Sequence, residues 1–419
     1  MLALLAVPAA ADDVVIGEFK LQRVVDGDTV RVQGLDSSLR LLGIDTEETF
    51  KHDKERRAYA KGFAAYAKEV RGSSLRPAKF ATPLGDEAKQ WAEAWFAGVT
   101  TVRLERDDPH EIKDRYRRYL AYVLAEKHGK WLNYNVEAVR AGMSPYFPKY
   151  GRSRRYDRDF IAAEAEAKAA KRGIWAPGAE AYPDYPEREA WWTARGDFVA
   201  KFHDDAAHSH RAVMIDLTHD DAVAQLEANV GHEVVALGVV GEIERPGEPS
   251  HRKRTRHRTR KPRANGSDAS ARDETANEVD DVYEDGWTGD PDRPDERDDS
   301  ASTAGSSDAA AGTTDRASES RPSDNAAGHG KAPTRVVLDN HVQLVFFDPD
   351  VFAASGISAW KGEWIRASGK SSLYHGKPEI VIDRTGQLEL SPVPGLTKPT
   401  APRPTPTRGH ERSVPIHAP

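Results

Sequence analysis

The chain of 419 residues has no cysteine and only 3 methionines. Without thiols, disulfides, thiolate nucleophiles and zinc–cysteine centres are excluded. That absence suits an exported chain and a cytosolic one equally. Long apolar runs are missing too. After the N-terminus nothing approaches the roughly 20 consecutive apolar residues of a membrane-spanning helix. Hydrophobic residues make up 38% and charged residues 30%. This low apolar share predicts folded domains diluted by a segment unable to build a core. The net charge of -7 hides an asymmetry. Residues 1–180 carry about four more basic than acidic side chains, so the first part of the chain suits a polyanion.

Residues 1–15 open with MLALLAVPAAADD, an apolar run followed by small residues. It reads as a truncated export signal lacking a positive start, which implies a secreted or cell-envelope protein. The alternative is a short hydrophobic cap on a cytoplasmic protein.

The first folded unit spans residues 16–175. VVIGEFKLQRVV, DTVRVQG and LRLLGID read as strands, and Phe50 to Pro83 as a partly helical surface insertion. GDEAKQWAEAWFAG has helical spacing ahead of Gly98, TVRLERD and YRRYLAYVLAE alternate as strands, and KWLNYNVEAVRAG reads as a helix stopping at Gly142. An Ala-rich helix, RDFIAAEAEAKAAKRGIW, stops at Gly173. This order gives an α+β class. Residues 176–213 form a Pro-rich break and a helix. A second unit takes residues 214–245 and resumes at 334–390. Its strands, one before the interruption and about four after, predict a small closed barrel. The insertion, 246–333, runs from a basic block (His251 to Arg263) through an acidic block into Ser, Ala, Gly and Thr, and reads as disordered. Residues 391–419 read as a disordered Pro/Thr-rich tail.

Within the first unit, VVDGDTV sets Asp26 and Asp28 two residues apart, where an apolar strand breaks and resumes. An Asp-Gly pair is a hairpin signal, since Gly tolerates positive φ. A turn accounts for Asp26 and Gly27. It does not account for Asp28, so a cation site stays open. RLLGIDTEET follows with Arg40, Asp45, Thr46, Glu47 and Glu48, and DRYRRYLAY brings Arg115, Arg117 and Arg118.

Taken with VRAGMSPYF and AKAAKRGIW, these motifs stand in the order found in the thermonuclease (staphylococcal nuclease-like) family, which residues 16–175 resemble. The resemblance implies an OB-type five-stranded β-barrel with helices, and calcium-dependent hydrolysis of DNA and RNA. It implies that Asp28 and Asp45 hold Ca2+ through carboxylates and Thr46 through its carbonyl, with Asp26 near the metal. Glu48 would stand beside the attacking water. Arg40 and Arg118 would grip the phosphate, and Tyr116 and Tyr150 would line the nucleotide pocket. Two departures matter. The family has proline where Glu47 stands; this extra carboxylate either adds charge near the ion or faces water, and the second is favoured. The family also has glycines where Arg117 and Tyr119 flank Arg118. Strand alternation sends Arg117 to the opposite face and favours Arg118 as the inward arginine.

The second unit resembles small OB-fold domains that bind tRNA and single-stranded DNA. Its platform candidates are Trp360, Trp364, Tyr374, Lys361, Arg366, Lys370 and Lys377; the alternative is that the aromatics are core. The whole reads as a monomeric metal-dependent endonuclease acting on DNA and/or RNA. The competing reading is a catalytically inactive nucleic-acid-binding scaffold.

Overall fold

A computed structural model describes residues 14–74, 76–110, 113–114, 117–210, 212–247, 332–339 and 341–396. The expectations for the export signal, for the insertion over residues 248–331 including its basic block, for Tyr116 and for the tail beyond residue 396 lie outside these residues. Among the described residues, no helix is long and apolar enough to cross a membrane.

The first unit is a closed five-stranded barrel. Its strands are β1 (Val15–Asp26), β2 (Thr29–Val32), β3 (Leu39–Leu41), β5 (Thr101–Glu105) and β6 (Tyr119–Lys127). β1 pairs with β2, β2 with β3, β3 in parallel with β6, β6 with β5, and β5 back to β1. The hairpin partner β7 (Lys130–Asn133) adds to β6, and the short β4 (Gly43–Ile44) pairs with β8 (Tyr146–Phe147). Leu39, Leu41, Val102, Leu104, Ala121 and Val123 fill the barrel. KWLN is therefore strand rather than helix. Asn133 ends it and caps α4 (Tyr134–Arg140), its side chain accepting from the Asn135 and Val136 amides. α5 (Asp157–Ala170) ends at Lys171, which takes the left-handed conformation, before Gly173.

The insertion after β3 holds α1 (Asp53–Tyr59) and α2 (Phe63–Arg71) and leads into α3 (Pro83–Trp95). Thr82 caps α3 by accepting from the Gly85 amide, with Pro83 at the first turn. The insertion is more than surface. Phe50, Tyr66 and Phe80 build a separate aromatic core with Tyr182, Tyr185, Trp191 and Trp192.

Tyr185–His208 is a 24-residue helix, α6. It is buried on more than one face because it stands between two bodies. Tyr185 and Trp192 pack on the first unit. Phe198 and Phe202 pack on Leu237 and Trp364 of the second.

The second unit opens with β9 (Val213–Asp216) and α7 (Ala222–Ala228). Its barrel joins β10 (Glu233–Glu244), β11 (Thr334–Leu338), β12 (Val342–Phe346), β13 (Trp364–Tyr374) and β14 (Lys377–Val381), with α8 (Pro349–Ser355) after the third of these and β15 (Leu388–Leu390) on β13. β12 pairs in parallel with β14, and β10 closes on β13. The long insertion thus sits in the first connection of a barrel that closes without it, as expected from the weak dependence of closure entropy on loop length. Residues 391–396 are not a loose tail: Val393 and Leu396 pack on the barrel core.

The seven platform candidates of this barrel divide. Trp360 is core, its indole N–H donating to Ser391 O at 2.8 Å. Trp364 donates to Lys149 O at 2.8 Å across the contact with the first unit. Arg366 is buried there on Asp205. For Trp360 and Trp364 the alternative of a buried aromatic holds; Trp360 fills the barrel core, while Trp364 and Arg366 face protein because α6 covers that side of the sheet. Tyr374, Lys361, Lys370 and Lys377 are exposed.

Candidate functional site

The β1–β2 connection is a two-residue turn, Gly27–Asp28, with Asp26 opposite Thr29. Gly27 does not take a positive φ. Its need for glycine is proximity, since a Cβ there would lie 2.7 Å from the Thr46 methyl. The turn therefore packs directly on the loop after β4. The Tyr134 hydroxyl clips it from the other side, donating to Gly27 O at 2.6 Å.

That contact brings the acidic residues together. Asp26, Asp28 and Asp45 are buried, and Glu48 keeps 26% of its side chain open. Arg40, on the short strand between them, places one nitrogen on Asp28 and another on Asp45. Two carboxylates touching one guanidinium cannot lie a nanometre apart, so a single hydrated cation can span them. Ser144 fixes the start of the loop, its hydroxyl accepting from the Asp45 amide at 2.8 Å. Lys79 pairs with Asp45 at 2.7 Å and Lys51 with Glu48 at 3.6 Å.

The electrostatics follow from this crowding. Burial, reinforced by Asp28 and Glu48, pushes the Asp26 carboxyl up to about 7. Burial also raises Glu48; Asp28 and Asp45 add to the rise, while Lys79 and Lys51 oppose it. Such a set is all oxygen and strained by its own charge, which suits a hard divalent cation. Its ligand atoms do not reach the spacing of a tight three-ligand cluster, because Arg40 stands between Asp28 and Asp45. Among the described residues that spacing is met at the surface by His110, Asp220 and Asp221. There His110 is already paired with Asp220 at 3.1 Å.

Arg118 comes to the same rim. Asp114 accepts from its backbone amide and its Nε, both at 2.9 Å. The guanidinium lies close enough to Arg40 for the two positive charges to interact, and near Tyr150. Arg117 is exposed and holds a left-handed φ of 65°. That conformation, rather than strand alternation, separates the two arginines, because β6 starts only at Tyr119. It is also a conformation that glycine adopts without strain. Tyr150 lines a cleft with Asp114 and Lys149, whose far wall is Asp339 and His341 of the second unit.

Glu47 is the clearest departure from expectation. It does not face water; it is 1% exposed. The Thr82 hydroxyl, the Tyr182 amide and the Tyr185 hydroxyl all donate to it. Asp114, Lys79, Ser144 and Tyr134 were not singled out as functional in the sequence. Only Asp114 left a local signal, an acid four residues before Arg118 in the same motif.

The family model for staphylococcal nuclease homologues matches residues 38–177. The chain is 31% identical over 158 residues to an uncharacterised protein of Methanocaldococcus jannaschii, covering 37% of this chain and 70% of that one. It is 30% identical over 165 residues to the thermonuclease of Staphylococcus hyicus, covering 38% and 75%. Against the thermonuclease of Staphylococcus intermedius the identity is 27% over 164 residues. With its five-stranded barrel, its acidic rim and these relatives, the chain belongs to the staphylococcal nuclease homologue family and carries a nuclease domain of that type.

Proposed function

We propose that the protein is a calcium-dependent nuclease hydrolysing phosphodiester bonds of DNA and/or RNA. The observation that carries this reading is the convergence of Asp26, Asp28, Asp45 and Glu48 on one rim, spanned by Arg40 and flanked by Arg118. Asp28, Asp45 and the Thr46 carbonyl would hold the cation, with Asp26 nearby adjusting the charge. When bound, the cation polarises the phosphate and neutralises the charge that develops on it. Glu48, partly open to water, orients and deprotonates the attacking molecule. Arg40 and Arg118 present planar forks that match phosphate oxygens, which a lysine does not do. Asp114 orients the second of these. Tyr150 offers a ring for the nucleotide. Because Arg40 already ties both aspartates together, cation binding without substrate is weak.

The second barrel adds retention of substrate. Tyr374 is 50% exposed at the turn between β13 and β14, with the Arg335 guanidinium 5.5 Å from its ring centre and Lys377 beside it. In barrels of this type that turn belongs to the binding face.

The test is cleavage of plasmid and single-stranded DNA with calcium and then with chelator. The expected result is degradation that chelator abolishes. Cleavage indifferent to chelator, or none from folded protein with calcium, sinks the reading.

A further inference from the structure

We propose that Glu47 is a positioning residue of the nuclease site, and that the segment Tyr182–Tyr185, beyond the family match, completes that site by holding Glu47. This rests on the roles assigned above to Asp45, Thr46 and Glu48.

Glu47 lies between the residue offering its carbonyl and the residue facing water. One of its oxygens accepts from the Tyr182 amide at 2.7 Å and the Tyr185 hydroxyl at 2.8 Å. The other accepts from the Thr82 hydroxyl, which also caps α3. A single buried carboxylate thus ties the loop to two distant segments. A carboxylate removed from water this completely is tolerated only when its oxygens are satisfied, and a fully satisfied buried network holds one geometry.

The backbone repeats the clamp. The Thr82 amide donates to Glu48 O at 3.0 Å. Gly85 approaches so closely that a Cβ would lie 2.0 Å from that oxygen. The Tyr182 hydroxyl donates to Phe80 O at 2.8 Å, and Arg188 reaches Ala78 O. The same helix then runs to the second barrel, where Arg195 and Arg76 meet the buried Glu363. A proline, which the family resemblance implies at this position, would offer no such acceptor. A family-length fragment ending near residue 177 would lose two of the three donors to Glu47 and the residues that cover it.

The test uses the full-length protein with Tyr185→Phe, which removes one hydroxyl and keeps the ring in its aromatic core, and with Glu47→Gln and Glu47→Ala. Backbone hydrogen exchange at Thr46–Phe50 is measured with kcat, KM and melting temperature. Leu226→Ala, in the core of the second unit, serves as the stability control. In Tyr185→Phe the loop amides should exchange roughly tenfold faster and kcat fall roughly tenfold, with KM little changed, since a full ångström of displacement of reacting groups can cost about 100-fold and the loss of one of three donors shifts the loop by less. Glu47→Gln, which keeps an acceptor, should recover part of what Glu47→Ala loses. Parental exchange and kcat in Tyr185→Phe overturn the proposal, as does an equal fall in kcat in Leu226→Ala. If the parent protein does not cleave, the nuclease reading fails, and loop exchange alone decides whether the latch exists.

Discussion

The two barrels pair their strands alike: first with second, second with third, third in parallel with fifth, fifth with fourth, fourth with first. Their rims differ. The first connection is the tight Gly27–Asp28 turn in one barrel and residues 245–333 in the other. The third strand carries Arg40 in one, while β12 reads VQLVF with no charge. After it, one barrel has Asp45 to Glu48 and the other the Asp348 cap of α8. Hydrogen-bond topology therefore carries no catalytic information here. A few side chains at one end carry it, and the second barrel spends the sheet surface behind them on docking to α6.

This contrast can be broken most severely at Arg118. Arg118→Ala should lower kcat by about 100-fold or more, the effect of losing roughly 3 kcal/mol of transition-state stabilisation. Arg117→Ala should cleave near the parental rate. Equal losses in steady-state kinetics would show that the left-handed turn does not separate the two.

Glycines sharpen the comparison next. Gly85→Ala forces a Cβ against Glu48 O, whereas at Gly386 in the second unit a Cβ meets nothing within 4 Å. Thermal melts should show Gly85→Ala destabilised by about 2 kcal/mol or more with lost cleavage. Gly386→Ala should stay within about 0.5 kcal/mol of the parent. Similar melting shifts would mean that the loop has room to move.

The charged rim should also make the first barrel sensitive to pH. Asp26 binds its proton more tightly folded than unfolded, being raised from 3.8 to about 7. With cation chelated, its contribution to stability is therefore present at acid pH and lost as pH rises from about 4 to about 7. Asp26→Asn removes that loss. The variant should be more stable than the parent by about 1–3 kcal/mol at pH 8, with a flatter slope. Denaturant melts at pH 5 and pH 8 with identical slopes for both proteins would remove Asp26 from the acidic cluster.

The smallest effects test where the barrels agree. Each holds a non-glycine residue at positive φ in its fourth-to-fifth strand connection, Arg117 at 65° and His375 at 50°. Arg117→Gly should stabilise by about 1 kcal/mol, and His375→Asn by a few tenths, by relieving left-handed strain. Unchanged or lowered melting temperatures would point to side-chain contacts that outweigh the backbone gain.

Much of the site was readable because its parts are local. The spacing of Asp26 and Asp28, the run from Arg40 to Glu48, and the arginine pair lie within short motifs. The mistakes have two causes, a run too short to read and partners too distant to see. KWLN alternates too briefly to be told from helix. Glu47 was expected in water because a lone carboxylate beside two others is normally solvated. Its donors Tyr182 and Tyr185 lie 135 and 138 residues away. Trp364 and Arg366 had the composition of a binding platform, but α6 covers them.

From its residues alone this chain fixes two barrels, the interruption of the second, and the side chains able to meet a cation and a phosphate. Alternation, turn chemistry and charge act over a few neighbouring positions, so they survive reading in one dimension. Tertiary structure alone decided which of those side chains see solvent. Burial belongs to two surfaces at once, and here the second surface is a helix lying outside the family match.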